Sequence, residues 1–299
     1  MTAVRLGTRA SKLAVAQSGM VADLLRTAHP GLTVELIEIT TAGDRDQSSA
    51  LSEGVGWFTT AIQDALRRRD IDLAVHSFKD LPTGRPPGLA IGAIPMREDP
   101  RDALISRTGA SLAGLPRGAV VGTSSPRREA QLRATRPDLV FRPIRGNVDT
   151  RLSRVRRGEY DATVLAVAGL KRLGLEREVA HVFDLDEMLP APAQGALAVE
   201  CRSDDERVVA LLDAIDDPAL RPPVEAERSF LATLEAGCSF PAAAHAMLSP
   251  GALVLDALVA PAGPVLRQRT VGPGDAAARL GATLAAELMR AAGMHAPAG

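Results

Sequence analysis

The sequence predicts an α/β protein with two α/β lobes and a small C-terminal α+β domain. Its 299 residues exceed the length of one typical domain. Strand-like and helix-like segments alternate through most of the chain, which is typical of mostly parallel sheets covered by helices. After Pro222 and Pro223 the pattern changes to a helix, three strands and a long alanine-rich helix. Three structural parts are therefore expected.

The elements of each part follow from hydrophobic periodicity and helix-start signals. For the first lobe we predict strands over 4–7, 34–40 and 73–77, and helices over 12–27 and 58–69. For the second lobe we predict strands over 120–122, 139–144 and 162–166, and helices over 126–136 and 148–157. For the third part we predict a helix over 224–235, strands over 244–248, 253–259 and 265–271, and a helix to about 292. The predicted domains are 1–96 with 196–215, then 97–195, then 216–299.

Composition limits the kinds of partner. The formal net charge is -1, so no overall field favours nucleic acid or a membrane surface. No apolar run reaches the length that spans a bilayer, and the N-terminus lacks the pattern of a signal peptide. The two cysteines, Cys201 and Cys238, suit a reducing compartment. We expect a cytoplasmic monomer that binds neither nucleic acid nor membrane.

Two α/β lobes with a hinge between them resemble the architecture of periplasmic binding proteins. In open α/β sheets, ligands bind beside the carboxyl ends of the strands. The turn after 120–122 reads Gly122-Thr123-Ser124-Ser125-Pro126-Arg127-Arg128. Ser125 is a suitable N-cap, and Pro126 suits the first helical position. Arg127 and Arg128 then oppose the helix dipole, which favours an anion site over a purely structural turn.

Further cations follow other predicted strands. Arg9 and Ser11 come after the first strand, Arg145 and Arg151 flank a helix start, and Arg172 follows 162–166. Each pattern alone is weak, and solvated surface arginines are the commoner explanation. Together they predict a cleft lined by cations, suited to a ligand with several carboxylates or phosphates.

Asp80 is the one acid in this set, within His76-Ser77-Phe78-Lys79-Asp80-Leu81-Pro82. It follows strand 73–77 and precedes a proline, so its carboxylate is expected to point into the cleft. A turn-forming aspartate is the ordinary interpretation, but a carboxylate beside cations is also well placed to protonate an amine or stabilise a cation. His76 is expected to be packed, and the five histidines show no spacing that suggests a metal site.

The two cysteines have different surroundings. Cys201 falls in an alternating, strand-like segment and is expected to be a small buried hydrophobe. Cys238 lies between Gly237 and Pro241, where helix 224–235 ends. Its thiol is expected to be held by the backbone and accessible to a ligand. A half-buried loop cysteine is the ordinary alternative.

Several short sequence motifs also occur along the chain in the same order as in a known protein family. These are Arg9-Ala10-Ser11-Lys12-Leu13-Ala14, Ala74-Val75-His76-Ser77-Phe78-Lys79-Asp80-Leu81-Pro82, Glu98-Asp99-Pro100-Arg101-Asp102, Gly122-Thr123-Ser124-Ser125-Pro126-Arg127-Arg128, Arg145-Gly146-Asn147-Val148, Ala166-Val167-Ala168-Gly169-Leu170, Ala193-Gln194-Gly195-Ala196 and Gly237-Cys238. In this combination they resemble the hydroxymethylbilane synthase family, also called porphobilinogen deaminases. The resemblance covers nearly the whole chain apart from its C-terminal tail.

The resemblance implies a transferase that joins four porphobilinogen molecules head to tail and releases ammonia at each addition. It then hydrolyses off the linear tetrapyrrole, hydroxymethylbilane. The resemblance also implies a dipyrromethane cofactor, itself made from porphobilinogen and attached to Cys238 by a thioether. Each pyrrole ring carries an acetate and a propionate. These carboxylates need charge-assisted partners, which explains why the cleft is lined with arginines.

Individual roles follow from the same resemblance. Asp80 is implied as the catalytic carboxylate, which assists the loss of ammonia and then stabilises the cationic azafulvene and pyrrolinium nitrogens. The residues implied at the cofactor are Lys79, Thr123, Ser124, Ser125, Arg127, Arg128, Arg145 and Gln194. Those implied at the substrate are Arg9, Ser11, Phe58, Arg151 and Arg172.

One segment departs from the family pattern. A glycine-rich loop, often with lysine, is usual before Phe58, whereas this chain reads Glu53-Gly54-Val55-Gly56-Trp57-Phe58. If this segment closes over the cleft, catalytic rate or product release will differ from the family's. The alternative function is that of a non-catalytic, two-lobed protein that binds an anionic metabolite, although it gives Cys238 no role.

Overall fold

The computed structural model describes residues 3–39, 59–234, 240–261 and 264–294. The chain forms two compact units. The first contains Met1–Glu98 and Ala196–Arg221, and the second contains Asp99–Gly195 and Pro222–Gly299. The predicted boundaries of three domains, with a break near residue 216, stay a prediction.

Within the described residues, each predicted strand and helix lies close to its predicted range, and the structure adds the strands over 89–93, 102–106 and 181–182 and the helix over 206–213, which were not predicted. The strands are β1 (Ala3–Thr8), β2 (Thr33–Glu38), β3 (Leu73–Ser77), β4 (Leu89–Ala93), β5 (Asp102–Ser106), β6 (Val120–Gly122), β7 (Val140–Arg142), β8 (Ala162–Ala166), β9 (His181–Val182), β10 (Leu197–Arg202), β11 (Ala242–Ser249), β12 (Ala252–Val259) and β13 (Leu266–Gly272). The helices are α1 (Lys12–Ala28), α2 (Thr60–Arg67), α3 (Pro126–Thr135), α4 (Val148–Arg156), α5 (Val167–Arg172), α6 (Glu206–Asp213), α7 (Arg221–Thr233) and α8 (Ala277–Ala291).

The sheet of the first unit has the strand order β2-β1-β3-β10-β4. β1, β2 and β3 are parallel, whereas β10 runs antiparallel to both β3 and β4. The prediction of a mostly parallel sheet is therefore only partly right, because β10 enters from a distant part of the chain in the opposite direction. Helix α1 packs on one face through Val21 and Leu25, and α2 packs on the other through Ile62 and Leu66.

The second unit contains two sheets. One has the order β7-β6-β8-β5-β9, in which β7, β6 and β8 are parallel and β5 is antiparallel to its neighbours. The other, β11-β12-β13, is antiparallel. Its core contains Leu255 and Ala257 of β12, Phe230 of α7 and Leu284 of α8. Two α/β sheets and a C-terminal α+β part confirm the predicted fold class. Among the described residues, no helix is both long and apolar enough to cross a bilayer.

Helices α7 and α8 meet at Gly281 with almost no space between them. A Cβ at this position would clash with the carbonyl oxygen of Ala226 and lie 2.8 Å from the backbone nitrogen of Phe230. Backbone atoms cannot rotate aside as a flexible side chain can. We therefore expect Gly281→Ala to lower the free energy of unfolding by about 1–3 kcal/mol in urea denaturation.

Gly19 in α1 is the matched control, because nothing lies within 4 Å of a Cβ added there. Gly19→Ala is expected to be neutral or to stabilise by up to about 1 kcal/mol, since alanine has the higher helix propensity. Equal stabilities for the two variants would show that the α7–α8 contact is looser than described.

Candidate functional site

Arg9, Ser11, Lys79 and Asp80 lie at one edge of the first sheet. β1 and β3 are adjacent and parallel, so the residues that follow these strands share the carboxyl edge. Ser11 caps α1, where its Oγ accepts a hydrogen bond from the Ala14 N–H at 3.3 Å. Cationic, hydroxyl and anionic groups therefore meet at this edge.

Asp80 lies at the surface, in a turn that is anchored by the buried side chain of Phe78. Phe78–Asp80 form one turn of 3-10 helix directly after β3. Phe78 is 4% exposed and its N–H donates to the Ala196 carbonyl at 3.0 Å. The Gln17 amide donates to the Ser77 hydroxyl at 2.8 Å, which fixes the end of the strand. The Asp80 carboxylate itself is exposed, so a ligand can reach it.

A buried polar cluster supports the same strand from its other face. Nε2 of His76 lies 3.0 Å from one carboxylate oxygen of Glu200, and the Gln63 amide donates to the other at 3.0 Å. All three side chains are buried. His76 is therefore packed, as predicted, and the cluster joins α2 and β10 to the strand that leads to Asp80.

Thr123, Ser124 and Ser125 follow β6 at the carboxyl edge of the second unit's α/β sheet. The parallel strands β7 and β8 end at the same edge. Ser125 caps α3, with its Oγ accepting from the Arg128 N–H at 3.4 Å, as the sequence predicted. The Ser124 hydroxyl donates to the Ile144 carbonyl at 3.0 Å and accepts from the Ile144 N–H at 3.1 Å. This pair of bonds holds the turns after β6 and β7 together.

Arg127 and Arg128 both bind Asp102, a carboxylate to which the sequence analysis assigned no role. Asp102 begins β5 opposite Ala166, the last residue of β8, because these strands are antiparallel. Nη1 of Arg127 lies 2.7 Å from Oδ2 of Asp102, and Nη2 of Arg128 lies 2.6 Å from Oδ1. Asp102 is 0% exposed, and the two arginine side chains are 6% and 8% exposed. Much of the positive charge that the sequence analysis expected to bind a ligand is therefore paired with the buried carboxylate of Asp102.

The charges of this cluster keep Asp102 ionised. Burial alone would raise its pKa, but attraction by Arg127 and Arg128 holds the pKa of Asp102 well below its usual range. One carboxylate facing two guanidinium groups leaves one positive charge in excess. Within the described residues both hydrogen bonds of the Arg127 guanidinium come from Nη1. Nε and Nη2 of Arg127 thus take no part in the contacts with Asp102 and Leu189.

Gln194 belongs to the same cluster, since its buried amide donates to Asp102 at 3.0 Å. Just before it, Ala193 has a φ of 61°, in the left-handed region. The Ala193 N–H donates to one carboxylate oxygen of Glu227 at 2.6 Å, and the other oxygen accepts from the Ala246 N–H at 2.7 Å. Glu227 of α7 is 0% exposed. This buried acid fixes the segment that carries Gln194.

Arg151 and Arg172 are oriented by backbone carbonyls. Nε of Arg151 donates to the Gly146 carbonyl at 2.8 Å, and Nη2 of Arg172 donates to the Gly195 carbonyl at 2.7 Å. Arg145, in contrast, is exposed. The cations predicted for the second unit therefore differ in how firmly the protein holds them.

Sequence reasoning missed Asp102 and Glu227. Two arginines in the first turn of a helix are themselves a signal for a buried counter-ion, and Asp102 is the acid at the start of a nearby strand. Glu227 gave no local signal, because its two partners lie 34 and 19 residues away.

Cys201 is buried in β10. Cys201 is 0% exposed, and burial raises the pKa of its thiol to about 11, which confirms the predicted buried hydrophobe. Cys238, Phe58 and the departing segment 53–58 lie outside the described residues, so their implied roles stay predictions. The described part of the chain holds no group of three or more His, Cys, Asp or Glu side chains suited to a metal ion.

The described fold is that of an α/β protein with two sheet-containing lobes and a C-terminal α+β part, and its strand ends carry arginine, hydroxyl and carboxylate groups. Two family models match the chain: "Porphobilinogen deaminase, dipyromethane cofactor binding domain" over residues 4–210, and "Porphobilinogen deaminase, C-terminal domain" over 223–290. The chain belongs to the porphobilinogen deaminase family, a family of transferases, and residues 4–210 match its dipyrromethane-cofactor domain.

Two porphobilinogen deaminases of similar sequence agree with this assignment. The porphobilinogen deaminase of Roseiflexus castenholzii is 48% identical over 98% of this chain and 98% of its own length. That of Acidothermus cellulolyticus is 50% identical over 97% of this chain and 90% of its own. Among solved structures, the ligand-binding component of an ABC-type import system from Staphylococcus aureus matches with a TM-score of 0.43 and 14% identity, over 77% of each chain.

Proposed function

We propose that this chain joins four porphobilinogen molecules head to tail onto a covalent dipyrromethane primer. Each addition releases ammonia, and hydrolysis finally frees the linear tetrapyrrole, hydroxymethylbilane. The observation that carries the proposal is an exposed carboxylate, Asp80, in a turn anchored by the buried Phe78, in a chain of the porphobilinogen deaminase family. A non-catalytic binding protein is not favoured, because the matched relatives are named as deaminases over nearly their whole lengths.

The attachment point of the primer follows by elimination. The chain has two cysteines, and a thioether requires an accessible thiol that can ionise. Cys201 is fully buried and its pKa is raised to about 11, so it meets neither condition. Cys238 is therefore the proposed site of the thioether.

The groups at the second unit's strand ends suit this primer. Dipyrromethane, when bound, supplies the pyrrole carbon to which the first substrate is joined. Its acetates and propionates need cationic and hydroxyl partners, which Arg145, Thr123 and the excess charge of Arg127 and Arg128 can supply. The remaining residues proposed to hold it are Lys79, Ser124, Ser125 and Gln194. Ser124 acts by joining the two turns through its bonds to Ile144, and Gln194 acts by keeping Asp102 and its arginines in place.

Asp80 is proposed to act on the aminomethyl nitrogen of the substrate. Its carboxyl group keeps a proton on that nitrogen while the carbon–nitrogen bond breaks, so that the leaving group is neutral ammonia. Once ionised, the carboxylate then stabilises the positive charge left on the pyrrole. It later accepts the proton that is lost when the new carbon–carbon bond restores the aromatic ring. Arg9, Ser11, Phe58, Arg151 and Arg172 are proposed to bind the substrate's carboxylates or rings.

Partners and location are proposed from the same reasoning. Porphobilinogen is the small-molecule substrate, and no role for nucleic acid or membrane is proposed because the net charge is -1. A reduced, buried Cys201 suits a cytoplasmic location. A monomer is the simplest form in which the proposed residues all come from one chain.

An intact-mass spectrum tests this function directly. We expect the purified protein to be heavier than its sequence by one dipyrromethane unit and to give a colour with Ehrlich's reagent. Peptide mapping should place the addition on Cys238, with the Cys201 peptide as the unmodified internal control. A protein that keeps its sequence mass after incubation with porphobilinogen, and stays colourless, would contradict the proposal.

A further inference from the structure

A cavity of about 830 Å³ lies in the second unit, next to the strand-end groups already described. Thr123, Ser124 and Arg145 line one part of it, and Pro241 and Val265 of the C-terminal part line another. A volume of this size is typical of a small-molecule site. The sequence analysis assigned no role to most of its lining.

The charges that line the cavity do not cancel. Arg133 is paired with Glu129 at 2.8 Å, and its guanidinium lies over the Phe141 ring at 4.6 Å from the centroid. Arg142 and Arg145, in contrast, are exposed, and within the described residues their side chains make no hydrogen bond or ion pair. The cavity thus offers two uncompensated guanidinium groups, and one pyrrole ring of this substrate carries two carboxylates.

The covalent chemistry creates a need for such a space. This step rests on the proposed function, in which one carboxylate acts at every addition and one sulfur holds the chain throughout. Each new ring must be added at Asp80, so the earlier rings have to move back toward the sulfur as the chain lengthens. Pro241 lines the cavity and is three residues from Cys238 in the sequence, a distance of at most about 11 Å along an extended chain.

We propose that this cavity takes up the rings nearest the cysteine once the chain has lengthened. Arg142 and Arg145 bind the acetate and propionate of one such ring, with Arg145 keeping the carboxylate that it already binds in the primer, and the apolar wall formed by Phe141, Pro241 and Val265 packs against its face. The cavity is therefore a storage site for the elongating chain, separate from Asp80, which acts at each condensation. Because Arg142 has no part in holding the primer before elongation, its contribution should appear only in the later additions.

The test is a quench experiment on the holoenzyme. Enzyme is mixed with four equivalents of porphobilinogen and stopped at intervals, and intact mass then gives the fraction carrying one to four added rings. Arg142→Ala is expected to add its first ring at the wild-type rate and to accumulate shorter intermediates, with the later additions slowed by about tenfold, the size of one charge-assisted hydrogen bond. Arg142→Lys should restore most of the late rate, because it keeps the charge.

Arg117→Leu is the matched control, since Arg117 is an exposed arginine of the same unit that does not line the cavity. It should give the wild-type ladder, meaning the same fractions of enzyme with one to four added rings at each time point. Equal slowing of all additions in Arg142→Ala, or an unchanged ladder, would overturn the storage site while leaving the proposed function intact. A wild-type enzyme that forms no ladder at all would instead overturn the proposed function, and this inference with it.

Discussion

Asp80→Asn is expected to keep the covalent primer while its turnover falls by about 10²–10⁴-fold, the usual contribution of general acid–base catalysis. The amide has nearly the shape of the carboxyl group but can neither hold a transferable proton nor carry a negative charge. Primer assembly needs few events over the hours of protein production, so a slowed enzyme still completes it in at least part of the molecules. Intact mass measures the primer, and tetrapyrrole formation measures turnover.

A loss of turnover in Asp80→Asn is not expected to come from misfolding, because Asp80 is exposed and the turn is fixed by Phe78 and the Gln17–Ser77 hydrogen bond. Asp70→Asn is the matched control: Asp70 is an exposed acid of the same unit, paired with Arg68 at 2.9 Å. It should show wild-type turnover. Near-normal turnover in Asp80→Asn would remove Asp80 from its proposed role.

Asp102→Asn is expected to lower the free energy of unfolding by about 3–5 kcal/mol, the usual effect of removing one partner from a buried ion pair. The substitution leaves Arg127 and Arg128 buried at 6% and 8% exposure without their counter-ion. Asp186→Asn is the control, because Asp186 is an acid of the same unit that is 90% exposed in its pair with Arg267. Equal denaturation midpoints for the two variants would contradict the cluster's structural role.

The same variant has a distinct pH signature. The pKa of Asp102 in the folded protein lies below its unfolded value of about 3.9. Its stabilising effect is therefore complete only above about pH 5 and is lost progressively as the pH falls through the unfolded value, because the unfolded chain takes up the proton first. Wild-type stability should consequently decline more steeply between about pH 5 and pH 2 than that of Asp102→Asn. Parallel curves would contradict the lowered pKa.

Local signals in the sequence predicted much of the site's framework. Ser125 and Pro126 mark the start of α3 by N-capping and by the fixed φ of proline, and neither depends on distant residues. The order of strand, polar turn and helix placed Arg9 and Asp80 at strand ends for the same reason. The strand-end residues alone fitted either an enzyme or a binding protein. The family resemblance was needed to predict the chemistry.

Contacts between distant residues were not predictable in this way. The antiparallel direction of β10 and β5 depends on where the chain re-enters each sheet, and that direction brings Asp102 to the arginines. The arginine pair was expected to face a ligand, whereas the structure shows that it also neutralises a buried acid. The cavity beside Arg142 combines residues more than 90 positions apart, such as Thr123 and Val265, and so left no local pattern.

The bridge from Glu227 to the N–H groups of Ala193 and Ala246 bears on how this enzyme could be recombined with its relatives. A chimaera joined between residues 196 and 221 would take the acid from one parent and the segment around Ala193 from the other. Such a hybrid keeps its geometry only if both parents place these groups alike. Exchanging residues 191–195 together with everything after 221 would move the acid and both of its partners as one piece.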